Sequence, residues 1–412
     1  MKILLINSHH KISGGAERYY LNLGKLLRSK GHKVAYFSMR DKGNIGTRWS
    51  KYFVSNVDPN KNGLSEVFIK IPRIFYSFEA KRKVAKLLDD FRPDLVHLNN
   101  IYYYISPSII SEIKSRGIPI VQTVHDYQMI NPNVSMYHSG KICEITKGKK
   151  YYKAIFHKCV GNSYIGSLLS AIGLYIQNIG NSYFKNIDVF ITPSNFMKKK
   201  LIEEGVMKSK LFHLNNFVET VKQSRSKHTF KKYILYFGRL SEAKGIFKLI
   251  DLAHNIPDIK IVIAGSFDEY NDKKIAMQMI KNHKINNLLF VGFQDRRRLK
   301  NLIAKCEFVI VPSCWYENQP YSILESYALG KSVVASKIGG IPEIVINRKT
   351  GLLFDSKNIQ DLKAKILLLW NNPSFAKEMG RNARIYLIKK FNSDRHYNDL
   401  MKIYSRTIHS NI

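Results

Sequence analysis

Short apolar, β-branched runs alternate with longer amphipathic stretches along most of the chain, the pattern produced by parallel strands joined through crossover helices. In the first half, KILLIN (2–7), KVAYFSM (33–39), DLVHLNN (94–100), IPIVQTVHD (118–126) and DVFITPS (188–194) predict strands. The amphipathic ERYYLNLGKLLRSK fills one gap as a helix that Gly31 can end. The polar, aperiodic stretch VETVKQSRSKHTFKK (218–232) reads as a linker. Beyond it a second series begins with YILYFG (233–238) and continues with KIVIAG (260–265), LLFVGF (288–293), FVIVPS (308–313) and SVVASKI (332–338). The expected class is α/β, with two similar domains in tandem and a cleft between them as the expected ligand site. In the closing segment FNSDRHYNDLMKIYSR (391–406), Asn392 or Ser393 can cap a helix whose apolar face is Tyr397, Leu400, Met401 and Tyr404.

A length of 412 residues suits two ordinary domains, and 45% apolar residues exclude a disordered chain. Cysteines 143, 159, 306 and 314 form no CxxC pair, which argues against a disulfide framework or a four-cysteine zinc site and for a reducing compartment. MKILLINSHHKISGG reads as a strand entering a loop rather than an export signal, so a cytoplasmic location is expected. Charge changes the picture more. Lys and Arg number 66 against 31 Asp and Glu, a net +35, with +20 in residues 1–225 (35 basic, 15 acidic). Such a field attracts nucleic acid, an anionic membrane surface or phosphorylated ligands, although abundant Lys, Asn, Ile and Tyr also fit compositional drift. No zinc finger, aromatic RNA-binding sheet or basic heptad region is present, so no nucleic-acid partner is expected. The apolar YIGSLLSAIGLYIQNIG (164–180) is too short and polar to span a bilayer. Next to it, residues 141–158 hold six Lys and one Glu with Tyr151, Tyr152 and Phe156, which suggests an interfacial segment; FIKIPRIFYSFEAKRKVAKLL (68–88) is a second candidate. The ordinary alternative for both is a helix with its apolar face on the core.

Candidate chemistry lies in the loops after strands. SGGAERY (13–19) places Gly14 and Gly15 at a helix start suited to a phosphate or carbohydrate oxygen, yet it lacks the spacing of a dinucleotide site or a P-loop. YFGRLSEAKG (236–245) puts Arg239 and Lys244 in one loop, a pair that can clamp a diphosphate. In WYENQPYSILESYALGKSVVAS (315–336), Glu317 lies in a loop and Glu325 in the following helix, with Pro320 and Ser322 at the helix start. One carboxylate can reach a sugar hydroxyl and the other a ribose, while the helix start faces phosphate oxygens. This set can bind a nucleotide sugar without a metal.

The GGAE loop, FGRL-x3-KG, the E-x7-E pair and GGIPEIV…TGLLF (339–354) together resemble the retaining glycosyltransferases of the GT-B fold, specifically family 4, along nearly the whole chain. TVHDYQMINPN with KIC and HKC is similar to the subset that builds bacterial surface polysaccharides. This chain has ENQPYSILE where E-x-FG-x4-E is more common, and Glu144-Ile145-Thr146 where a further cysteine often sits. The resemblance implies two Rossmann-like α/β/α domains facing a central cleft: 1–220 plus the final helix 390–412 for the acceptor, and 221–389 for the donor. It implies a UDP- or GDP-linked sugar as substrate, no cofactor and no metal. The +20 of the first half, the two basic stretches and the lack of a spanning run lead to a further expectation, a lipid-linked saccharide acceptor reached by a peripheral protein at the inner face of an anionic membrane. Residue by residue, it implies that Arg239 and Lys244 neutralise the leaving diphosphate, Glu325 holds the ribose, Glu317 binds the transferred sugar, Gly15 lies beneath the diphosphate and His125 is catalytic near the anomeric carbon. A GT-B phosphorylase, a sugar-nucleotide epimerase and a basic nucleic-acid-binding protein are the competing readings.

Overall fold

All ten expected strands form, each somewhat shorter than its apolar run. In the computed structural model, which describes residues 1–56, 73, 75–102, 105–179, 182–219 and 232–409, the first half contributes β1 (Lys2–Ile6), β2 (Lys33–Phe37), β3 (Leu95–Leu98) and β4 (Ile120–Thr123). β5 (Tyr137–His138) and β6 (Lys141–Ile142) form a separate two-stranded antiparallel hairpin, and β7 (Val189–Thr192) and β8 (Leu211–His213) complete the half. The second half supplies β9 (Ile234–Phe237), β10 (Ile261–Ala264), β11 (Leu288–Gly292), β12 (Val309–Val311), β13 (Val333–Ser336) and β14 (Gly351–Phe354). Most are buried along their length, as parallel strands covered by helices on both faces require. They shorten because their carboxyl ends pass into polar loop residues such as Asn7, Asn99 and His125.

Two six-stranded parallel sheets result, in the orders β2-β1-β3-β4-β7-β8 and β11-β10-β9-β12-β13-β14. The second order reverses between β9 and β12. In an open α/β sheet that reversal leaves a crevice outside the carboxyl ends of the two strands. The sheet is held by a core that includes Ile234, Tyr236, Ile263, Leu249 and Ile366, all at most 4% exposed.

The chain divides into two compact units, Met1–Val134 with Glu144–Asn216 and His396–Ile412, and Ser135–Cys143 with Phe217–Arg395. Residues 135–143, which the sequence assigns to the first domain, thus belong to the second unit. The reason is the hairpin: Ser139 and Gly140 turn at positive φ (49° and 76°), and Gly140 lies against Glu242 of the second unit. The closing helix Ser393–His409 lies against the first sheet, where the Tyr404 hydroxyl meets His97 Nδ1 at 2.5 Å and His396 Nδ1 donates to the Asn215 carbonyl at 2.8 Å. Most of the expected linker, 220–231, and the start of the basic stretch, 68–72, lie outside the described residues. The rest of that stretch enters the helix Phe78–Phe91, which Ser77 caps. Its Val84, Leu87 and Leu88 face the core, and Arg73 and Lys83 both pair with Glu79.

Candidate active site

In the second unit the loops leaving β9 and β12 flank the reversal in strand order. Lys244 Nζ on the first loop lies 2.6 Å from Glu317 Oε1 on the second, and the side chains are 20% and 5% exposed. Ser313 Oγ donates to the same carboxylate oxygen at 2.7 Å, and the Trp315 ring lies beneath the ammonium at 4.6 Å. Burial draws Lys244 below the ordinary lysine pKa, with Glu317 opposing. Burial would raise Glu317, but the Lys244 charge and the hydrogen bonds from Lys244 and Ser313 outweigh it and hold the carboxyl below its usual value. The carboxylate is therefore ionised, and it holds the partly buried ammonium in place.

Two glycines make this approach feasible. Gly245 has φ +85°, and a Cβ there would sit 2.2 Å from the Pro312 carbonyl oxygen. Gly339 has φ +57°, with a Cβ position 2.3 Å from the Glu317 carbonyl oxygen, and the amide of Gly340 donates to that carbonyl at 2.7 Å. The GGIPEIV motif thus clasps the backbone of Glu317. The Cys314 amide donates to the Ala243 carbonyl at 2.8 Å, tying the two loops together. Arg239 is more open than Lys244 and pairs with Asp268 at 3.2 Å. Burial raises the Asp268 carboxyl, and both Arg239 and Lys244 act to lower it, so the two cations share one neighbourhood. Ser322 and Glu325 are half-buried on the helix Tyr321–Ala328 that follows the Glu317 loop. Pro320 precedes that helix, which has no side-chain cap at its start.

In the first unit Gly14 precedes the helix Gly15–Ser29, again without a side-chain cap. Neither Gly14 nor Gly15 has positive φ, so neither position requires glycine for its backbone conformation. A Cβ on Gly14 would meet Glu17 Oε2 at 3.0 Å, and its absence keeps the helix start open. His125, just past β4, is half-buried, with Nε2 2.9 Å from Asn99 Oδ1 and the Tyr19 ring at 5.2 Å. The Asn99 amide nitrogen donates to the Ile6 carbonyl, so its oxygen faces His125 and must accept. Nε2 carries the proton, and Nδ1 is left as an acceptor. Burial lowers the imidazole to about 3, which keeps it neutral near pH 7.

Sequence reasoning therefore named Lys244 and Glu317, which the fold joins, but missed Ser313, Trp315, Asp268, Asn99 and Tyr19. Ser313 and Trp315 lie within four residues before Glu317, which is a local signal; Asp268 and Asn99 carry none. Among the described residues no group of three or more His, Cys, Asp or Glu is placed to hold a metal ion, and all four cysteines are thiols.

Comparison with known proteins adds the family. Residues 13–222 match Glycosyltransferase Family 4, and residues 217–386 match Glycosyl transferases group 1. An uncharacterized glycosyltransferase of Methanocaldococcus jannaschii is 30% identical over 98% of both chains. An N,N'-diacetylbacillosaminyl-diphospho-undecaprenol alpha-1,3-N-acetylgalactosaminyltransferase of Campylobacter jejuni is 27% identical over 47% of this chain and 54% of its own. The crystal structure of HepE from Anabaena in complex with UDP superposes with a TM-score of 0.69 at 18% identity, covering 98% of this chain and all of that one.

Proposed function

Since the chain belongs to glycosyltransferase family 4 and has the GT-B fold, we propose that it transfers a sugar, with retention, from a UDP- or GDP-linked donor to a lipid-linked saccharide in bacterial surface-polysaccharide synthesis. The observation that carries this reading is the Lys244–Glu317 pair at the strand-order reversal. A relative that acts on a diphospho-undecaprenol saccharide and a structural neighbour that binds UDP support the acceptor and donor classes.

Departure of a nucleoside diphosphate builds negative charge on its outer phosphate and positive charge on the sugar. Lys244 and Arg239 neutralise the phosphate, joined by the start of the helix Tyr321–Ala328, with Ser322 in its first turn. Glu317 accepts from a sugar hydroxyl and Glu325 from the ribose hydroxyls. Gly14 and Gly15 leave a helix start open to the diphosphate. His125, neutral with Nδ1 unprotonated, accepts from a hydroxyl of the donor sugar near its anomeric carbon; its one proton, on Nε2, is committed to Asn99. The acceptor hydroxyl attacks the anomeric carbon from the face the diphosphate leaves. As the carbon–oxygen bond breaks, its electron pair passes to the phosphate oxygen, which takes the acceptor's proton. No metal is required, so turnover continues in excess EDTA.

A panel of UDP- and GDP-sugars, screened by thermal unfolding, tests the reading. One or a few donors raise the midpoint, since binding to the folded state alone stabilises it. No shift with any nucleotide sugar or free nucleoside diphosphate contradicts it.

A further inference from the structure

The helix Tyr164–Asn178 in the first unit is oriented against the usual rule. Its apolar side chains Ile165, Leu168, Ile172, Ile176 and, just beyond its end, Ile179 are exposed, Ile165 and Ile179 by 70% and 68%. Their spacing of three or four residues places them in one stripe along the outer face. The inward face is mostly small, made of Ser167, Ala171, Gly173 and Leu174. Ser167 is fully buried and accepts from the Val160 amide at 3.0 Å, while Asn178 donates to the Leu174 carbonyl and to the Tyr151 hydroxyl. Ala171 and Leu174 join Tyr151 in the small core beneath, with Ile155 packed against it. The basic helix Phe78–Phe91 of the same unit does the opposite, burying its apolar face and exposing Phe78 alone among its large apolar residues.

Phe156, 73% exposed, and Tyr152, whose amide donates to the Tyr175 hydroxyl of this helix, add exposed aromatic rings in the preceding turns. The surrounding sequence is of one sign: residues 145–187 contain Lys147, Lys149, Lys150, Lys153, Lys158 and Lys185 and no Asp or Glu. Lys158 Nζ lies 4.5 Å over the Tyr164 ring, beside the stripe. In the fold Glu203 pairs with Lys147 at 3.0 Å at one end of this run, and an outward apolar row bordered mainly by cations matches a surface that offers acyl chains below anionic headgroups. A symmetric copy of the same face would bring like charges together. The helix, at ~1.5 Å per residue, is about 22 Å long, and no described helix is long and apolar enough to cross a membrane.

We propose that this helix is the membrane-docking element: it lies flat in the headgroup region of an anionic bilayer, with Ile165, Leu168, Ile172, Ile176 and Ile179 inserted and Lys150, Lys153 and Lys158 on the phosphates. The inference rests on the lipid-linked acceptor reading and places that acceptor's bilayer on one face of the first unit.

Flotation with phosphatidylcholine vesicles, alone and with phosphatidylglycerol, at low and high salt, tests it without turnover. The wild type floats with anionic vesicles at low salt and much less at high salt or with phosphatidylcholine alone. The variants Ile165→Ser/Ile172→Ser/Ile176→Ser and Lys150→Gln/Lys153→Gln/Lys158→Gln each lose about tenfold or more in vesicle affinity, with unchanged urea midpoints and unchanged turnover on a water-soluble acceptor. Absent wild-type flotation, equal flotation with both vesicle types, or wild-type affinity in the apolar variant overturns the proposal. A dimer that the apolar variant dissociates, without vesicle binding, overturns it in favour of a second copy. Failure of the transferase reading shows separately, as no transfer to any acceptor while flotation persists.

Discussion

Lys244 and Glu317 carry the greatest consequence per side chain. Their charges are held at 2.6 Å where Glu317 is nearly closed to water, so removing one partner strands the other. Lys244→Ala is expected to cost about 3–5 kcal/mol of stability by leaving a buried carboxylate unpaired. Pairing it with Glu317→Gln recovers most of that loss without restoring transfer, because the proposed clamp on the diphosphate stays broken; urea unfolding of the single and double variants checks this, and equal stability of the single variant and wild type contradicts it. Gly339→Ala tests the clasp around Glu317. Its left-handed φ costs on the order of 1 kcal/mol, and the displaced carbonyl contact adds to that, so the variant is less stable and its KM for donor rises more than its kcat falls. Residue identities were legible here where chemistry demanded a type: two cations in one loop, a carboxylate after a strand. The partners Asp268 and Asn99 were not, because each meets its partner from a different strand end, 26 or more residues away in sequence.

Among elements, the strands were legible and the pairings only in part. Runs such as ILLI and IVIA are buried on both faces and so are apolar throughout, which leaves little ambiguity. β8 and β14 escaped: LFH is three residues long and GLLF opens on a glycine. The hairpin of β5 and β6 had a signal in the Ser139-Gly140 dipeptide, a two-residue turn at positive φ, but nothing local assigns it to the second unit. The closing helix was visible from its cap and from Leu400 and Tyr404, but its buried face takes Ile403 and His396 where Tyr397 and Met401 were expected, and its polar contacts were not legible. His97 bridges Tyr404 of that helix and Thr123 of β4, so Tyr404→Phe leaves a buried imidazole nitrogen unsatisfied and is expected to cost about 1–3 kcal/mol. Burial lowers His97 to about 3 and His396 to about 4, and His10, bonded to Tyr20, to about 4. A histidine depressed in the fold takes up its proton more readily when unfolded, so its stabilising contribution is full above about pH 6.5 and falls as pH drops toward the folded value. Each contributes up to about 1.4 kcal/mol per pH unit in that window, with His125, more open to water, adding least. Urea midpoints should therefore decline steeply from pH 6.5 to 4.5, before most carboxylates titrate. A flat profile contradicts the buried neutral cluster; His97→Gln shallows the slope if it is correct.

For the whole molecule, the order of apolar runs and four motifs spread over both halves sufficed for the fold class, because parallel sheets wound by crossover helices leave few alternative topologies. The charge of +35 was visible but not its use. Composition alone does not distinguish a helix that hides its isoleucines from one that shows them, and the two basic amphipathic stretches proved opposite in that respect. In the proposed reaction, fixed cations at the carboxyl ends of the second sheet assist departure of a nucleoside diphosphate. The most direct measurement is kcat for nucleoside diphosphate release, at saturating donor and acceptor, in wild type and Arg239→Ala. Arg239 is about half exposed, so its removal should leave the fold intact while kcat falls roughly 10²–10³-fold, the scale of losing one preorganised charge-stabilising group. Release at the wild-type rate from the folded variant would contradict the account.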